Sequence, residues 1–410
     1  MTRFAALAAA LLPALPAWAG IEVLTSSDLT PVSKRLAAAE TYIEALEVAQ
    51  SNPASPPPQG RSVPSLVELA AQIHPGRWLL VPAPISEVLY KREELNSTTW
   101  GVTGSRSVVD AWSAWAWDSN CAYMHNGGHA DYGGNEVYRF CFGTGWERII
   151  ETYMLPERTA QNPCPQPTAE EHGPPSSHTY DSLIWSAKTK SVFYFNNGGY
   201  CFRGNYKGPP MVWEIIERKW KRRADLDFAM RGFGRTALDA DGNIVIAHAG
   251  GIRVLDPASG KYIRAGPGTN ISGHGSMIYA PELERFFALE WSRLLSFGAA
   301  TFAWRRDASH SLNTGLGYTS GMAWHGPSKQ LVFWNGAREV VLYNPVTKTW
   351  KVLPNTAGPA PGGARPLSKW VYVGEHDLFV GLSSYRGGVW VYRLPPNDMA
   401  DPTPNKFLQQ

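Results

Sequence analysis

The chain has 410 residues, with 39 Gly, 32 Pro and 17 Trp, and only 18% of it is charged. So many turn formers exclude a long helical bundle, and 44% hydrophobic residues exclude a disordered chain. A formal net charge of +3, with Lys and Arg scattered rather than clustered, argues against a nucleic-acid partner. The composition favours many short strands joined by Gly/Pro turns.

At the amino terminus, Arg3 precedes an apolar run over residues 4–15 and then Ala17-Trp18-Ala19. A positive start, an apolar core and a small-x-small site are the parts of a secretory signal, so cleavage is expected near Ala19, with a secreted or periplasmic product. The run is shorter than the roughly 20 residues that span a bilayer, and no other segment is long and apolar enough, so no membrane span is expected. Residues 20–75 read as a helical segment with a Pro-rich linker. The spacing of Leu36, Ile43 and Leu46 predicts an amphipathic helix over 31–50, SNPASPPP at 51–58 ends it, and 64–73 suits a second short helix. Residues 76–394 are strand and turn, and 395–410 are a tail.

The four cysteines are Cys121, Cys141, Cys164 and Cys201. None has C-x-x-C spacing, which disfavours a thiolate zinc site, and four cysteines allow three pairings. The strand reading favours Cys121–Cys141 across one hairpin, leaving Cys164–Cys201 to pin a long loop, as suits an oxidising compartment.

Between residues 76 and 394 a unit recurs every 35–65 residues: apolar strand, polar turn, second apolar strand, Gly-rich loop, third strand, and often a Trp-bearing fourth. The clearest copies are 321–353 and 234–264. Others begin near Val108, His178, Gly275 and Ser368, giving six units. The segments 150–176 and 290–315 leave room for a seventh. The last unit has three strands, and the early strand at 76–82 (GRWLLVP) would supply its fourth and close a ring. The expected fold is all-β, a six- or seven-bladed β-propeller with a short N-terminal helical segment. Y-N-P-x-T-x-x-W at 343–350 and L-D-P-x-S-G-x-Y at 255–262 resemble the kelch repeat, and the ring resembles the galactose-oxidase-type propellers.

In such a ring the innermost strand starts at the face to which the loop between second and third strands returns. Those two places therefore surround one mouth of the channel. The first unit brings His125, His129, Asp131, Tyr132 and Glu136 there, and the second His178, Tyr180, Tyr200 and Arg203. The third brings Arg235, the fourth His274, Glu290 and Trp291, the fifth Tyr318, and the sixth Arg365, Tyr385 and Arg386. His125, His129 and Asp131 are the residues that could hold a divalent metal, zinc or calcium, although loop spacing carries little weight.

His, Tyr and Arg around a wide mouth suit an anionic polysaccharide, with aromatics stacking on sugars and Arg pairing with carboxylates. The composition also resembles the propeller-type polysaccharide lyases, the ulvan-lyase-like group. That resemblance implies β-elimination on a uronic acid, with His129 or His178 as base, Tyr180 as acid and Arg235, Arg203 or Arg365 on the carboxylate, and Arg203, Tyr200, His274, Arg365, Tyr385, Trp291 and Tyr132 as sugar contacts. The mouth offers no evident carboxylate pair for hydrolysis. The copper-radical set of galactose oxidase itself cannot be placed by motif. A non-catalytic propeller binding glycans or proteins is the alternative. The oligomeric state is not legible.

Overall fold

The computed structural model describes residues 62–90, 104–125, 132, 134–152, 173–174, 176–196, 211–228, 230, 234–268, 271, 274–291, 293–309, 316–353, 359, 361–363 and 365–396. All of them fall within one compact unit, Pro57–Gln410. The proposed signal, the helix over 31–50, the linker and the Cys164–Cys201 pair lie outside the described residues.

The first described element is helix α1 (Leu66–Gln72), within the second helix read from the sequence. Ser65 caps it reciprocally: its hydroxyl accepts from the Glu68 amide, and the Glu68 carboxylate accepts from the Ser65 amide at 2.7 Å. Leu66 and Leu69 are the buried side of its single apolar stripe.

The strands form six four-stranded antiparallel sheets. Blade one is β2–β5 (Trp115–Trp117, Cys121–His125, Val137–Cys141, Gly145–Ile150), and blade two is β6–β9 (Leu183–Ser186, Ser191–Asn196, Met211–Ile216, Lys219–Arg222). Blade three is β10–β13 (Arg235–Leu238, Ile244–His248, Gly251–Asp256, Lys261–Gly266). Blade four is β14–β17 (Met277–Ala280, Arg285–Glu290, Arg293–Gly298, Trp304–Ser309). Blade five is β18–β21 (Gly321–His325, Gln330–Trp334, Val340–Asn344, Thr349–Val352), and blade six contributes β22–β24 (Trp370–Val373, Leu378–Gly381, Val389–Tyr392). The fourth strand of blade six is β1 (Trp78–Val81), which pairs antiparallel with β24, Trp78 opposite Tyr392 and Val81 opposite Val389. The ring therefore closes with the early strand, as its apolar GRWLLVP run predicts, and it has six blades.

Blades pack face to face, so their middle strands are covered on both sides and read as unbroken apolar runs instead of alternating ones. β11 and β19 are buried at every position. The outermost β13 is largely exposed. Between third and fourth strands, blades one, three and four each carry a shift in register, which increases local twist. Cys121 and Cys141 face each other across β3 and β4 and form a disulfide, the pairing the hairpin reading favoured. The innermost strands of all six blades line a central channel of about 330 Å³.

One expected strand is shorter than its sequence suggests. Residues 110–117 read as an innermost strand, yet Ser107–Asp110 is a helical turn, here α2, and β2 begins only at Trp115. The intervening Trp112 carbonyl accepts from the amides of Thr179 (3.0 Å) and Tyr180 (2.9 Å) in blade two, so it joins a neighbour and not its own sheet.

His125, a weak metal candidate, sits fully buried on β3 with its ring against the edges of Tyr194 (5.1 Å) and Trp220 (4.8 Å). It packs between blades one and two, and burial depresses its pKa to about 4. Because the unfolded chain binds this proton more readily, stability is intact above pH 6.5 and is lost as pH falls towards 4. We expect wild type to lose on the order of 3 kcal/mol relative to H125F over that window, read from urea unfolding at each pH. Equal pH slopes in the two proteins would exclude this role.

Candidate functional site at the channel mouth

The starts of the innermost strands converge on one face, and a belt of hydrogen bonds fixes them there. Tyr180 donates its amide to Trp112 O between blades one and two, and the Thr236 amide donates to Asp181 O (3.0 Å) between two and three. The Arg235 guanidinium donates to His274 O between three and four. The Ser276 hydroxyl donates to Ser320 O (3.2 Å) between four and five, and the Leu367 amide to Thr319 O (2.8 Å) between five and six. Lys369 Nζ completes the circle, donating to Ser113 O (2.8 Å) and Oγ (3.0 Å) in blade one and to Arg365 O (3.1 Å). Every blade junction is thus bridged beneath the mouth.

Above this belt lies a cluster of rings. His178 Nδ1 is 3.1 Å from the Tyr180 hydroxyl, and the Tyr180 ring meets His274 edge-on at 4.8 Å. His274 in turn lies 5.6 Å from Tyr318 and 6.0 Å from Trp291, and Trp291 is 4.4 Å from Tyr318. Tyr318 stacks on Trp112 at 5.8 Å, and the Arg365 guanidinium covers Trp112 at 4.2 Å. Tyr180, Trp291 and Arg365 all have left-handed backbones, with φ of 45°, 41° and 62°. Such geometry costs on the order of 1–3 kcal/mol at each non-Gly residue and clusters at ligand sites. Gly275, with φ of 104°, lets the chain after His274 pass Leu289 O, which a Cβ there would meet at 2.0 Å.

Burial sets the charge states. It pushes His178 well below the ordinary imidazole range, helped by the charges of His274 and Arg365. His274 is also lowered, first by burial and then by Arg235, with Glu290 opposing. Both rings are therefore neutral near pH 7 and able to accept a proton. Burial raises the Tyr318 phenol, against the pull of Arg365. Lys369, fully buried, falls to about 7 despite Asp110 nearby.

His178, Tyr180, His274, Trp291 and Arg365, all expected at the mouth, are brought together there. Trp291 is 51% exposed, and His274, Tyr318, Trp112 and Arg365 are half-buried, whereas His178 and Tyr180 are buried behind them. Arg235 does not reach the opening as expected. It is fully buried, donates to His274 O and lies 4.0 Å from Glu290, so it positions His274 and cannot touch a ligand. Tyr132 is also turned away from the mouth, into the core of blade one. Its hydroxyl donates to Glu136 at 2.8 Å, as does that of Tyr138. Tyr385 is half-buried between blades six and one, its amide donating to Asp110 at 3.1 Å. His129, Asp131, Tyr200 and Arg203 lie outside the described residues. Among the described residues no group of three or more His, Cys, Asp or Glu could hold a metal ion.

Sequence reasoning passed over Trp112 and Lys369. Trp112 reads as one more strand residue in AWSAWAW, and Lys369 as a surface charge after Leu367 and Ser368. The available signal was position alone, since both lie just before an innermost strand.

The chain is a six-bladed β-propeller whose mouth combines neutral imidazoles, aromatic rings and the half-buried guanidinium of Arg365. No protein-family profile matches it, and no curated protein does. Among solved structures it is similar to a chain of the nidogen/laminin complex at 12% identity and a TM-score of 0.40, covering 68% of this chain and 94% of that one. It is also similar to TolB from Acinetobacter baumannii at 12% identity and a TM-score of 0.38, covering 62% of this chain. The matched region spans 56% of that TolB chain. No helix among the described residues is long and apolar enough to cross a membrane.

Proposed function

We propose that the protein is a polysaccharide lyase that cleaves a uronic-acid-containing glycan by β-elimination at this mouth. The observation that carries the reading is the convergence of half-buried or exposed His274, Tyr318, Trp112, Trp291 and Arg365 from four different blades. Arg365 pairs with the substrate carboxylate and stabilises the negative charge that develops there as C5 loses its proton. Neutral His274 accepts that proton. The C4–O bond then breaks, a C4–C5 double bond forms, and the Tyr318 phenol returns a proton to the departing glycosidic oxygen. Trp291 offers a face for stacking an adjacent sugar.

The base and acid move outward by one layer from those implied by the resemblance, and of the three arginines it offered Arg365 takes the carboxylate. His178 and Tyr180 support His274 from behind, and Arg235 holds its backbone. The kelch character of the ring belongs to the same proposal: Trp350 in 343–350 packs on Tyr343 at 4.5 Å, as a residue pinning the outer strand should. So does export through the amino-terminal signal, which would bring the protein to extracellular or periplasmic polymers.

The test is incubation of the protein with a panel of pectate, alginate, hyaluronan and ulvan, following the ultraviolet absorbance of unsaturated uronate ends. Growth of absorbance on at least one polymer is expected. Retention of a glycan without any growth would replace this reading with that of a binding propeller.

A further inference from the structure

A second concentration of positive charge lies on blade four, outside the mouth. Arg293, Arg305, Arg306, Trp304, Glu290 and Ile271 line a groove of about 290 Å³. All three arginines are exposed, the Arg305 and Arg293 side chains by 52% and 44%. Arg305 and Arg306 oppose Ser296 and Leu295 in register, and β17 is the outermost strand of its blade, so both can reach the surface. Leu294 pairs with Ala308 but Leu295 with Arg306, so Asp307 is an extra residue in β17. Its carboxylate turns inward, fully buried, and accepts from Arg305 (3.2 Å), Lys348 (2.8 Å) and Tyr343 (2.9 Å).

The acids around the groove do not balance its cations. Among its lining residues, three arginines, Arg293, Arg305 and Arg306, stand against one carboxylate, Glu290. The crowding is felt by Arg285, whose pKa is lowered first by burial and then by Arg305. Such an excess attracts anions. Guanidinium groups suit carboxylates and sulfates because they bind them bidentately. Trp304, half-buried and packed on Phe297 at 4.4 Å, lies among the arginines as an apolar wall.

The groove adjoins the mouth along the chain, through Glu290, which lines it and precedes Trp291. Glu290 accepts from Arg293 at 2.8 Å on one oxygen and lies 4.0 Å from Arg235 on the other. We propose that this groove is an accessory subsite that holds the carboxylate or sulfate groups of an acidic polysaccharide as it leaves the mouth over blade four. The inference rests on the proposed lyase reading for its ligand class and extends it from one sugar to a polymer.

The double variant R305A/R306A tests it against the same uronate polymers and against a uronate trisaccharide too short to reach past the mouth. Polymer affinity is expected to weaken about tenfold (~1.4 kcal/mol), with a shallower dependence on salt. Cleavage of the trisaccharide should be unchanged, and R305K/R306K, which keeps a cation beside Asp307, should recover part of the loss. Unchanged polymer affinity, or equal loss on the trisaccharide, would overturn the subsite and leave the lyase reading standing. A wild-type protein that retains no acidic polysaccharide, or prefers single-stranded nucleic acid, would overturn both.

Discussion

Trp78→Ala is expected to destabilise the protein by about 3–5 kcal/mol, the range for truncating a large buried aromatic. Trp78 is 3% exposed on β1 and lies 4.8–6.2 Å from the rings of Trp334, Trp370, Trp390 and Tyr392. Its indole N–H donates to Arg338 O at 2.9 Å, so the substitution also removes that hydrogen bond. Because β1 supplies the fourth strand of blade six from the amino-terminal side, the loss falls on ring closure and not on one sheet. Urea unfolding measures it, with V346A as the control, since Val346 is 69% exposed and should shift stability by less than ~0.5 kcal/mol. A loss under 1 kcal/mol for Trp78→Ala would mean that closure does not depend on this tryptophan.

His274→Ala is expected to lower cleavage by about 10²–10⁴-fold, the usual contribution of a general base, with little change in melting temperature. The pH profile gives an independent reading. A base must be neutral to act, so activity is present above its pKa and lost as pH falls through it. Burial and Arg235 lower the His274 pKa, which places the acid limb of kcat/KM below the ordinary 6.5. R235M should bring that limb back up, because the like charge is gone and burial remains. An acid limb at or above 6.5 in wild type, or a His274→Ala variant of full activity, would remove His274 from the reaction.

Much of the ring is legible in the chain. Apolar runs with polar turns mark the blades because middle strands are covered on both faces, and GRWLLVP is apolar enough to be recognised as a displaced strand. The face reached by His178, Tyr180, His274, Trp291 and Arg365 follows from strand order alone. Which way a residue turns at that face is less legible. Arg235 begins β10 as His274 precedes β14, yet a guanidinium there meets a carbonyl of the next blade and is buried. Tyr132 sits in a polar Gly-rich loop, but its partner Glu136 is itself buried, and nothing local signals that. The blade-four groove gathers Arg293 from β16 with Arg305 and Arg306 from β17, which adjoin only once those strands are paired.

The closing strand also bears on how the chain reaches its final form. Arg393 Nη1 donates to Ile73 O across 320 residues of sequence, and β24 must be present before β1 has anything to pair with. Contacts of such long range are slow to form, since the loop must be closed before any contact is gained. During synthesis, therefore, β1 waits with an open edge and an apolar Trp78 while five complete blades are made. Such a strand is a template for unwanted pairing with another chain. The arrival of β24 thus decides when that exposure ends, and completion of the ring joins segments from both ends of the described chain.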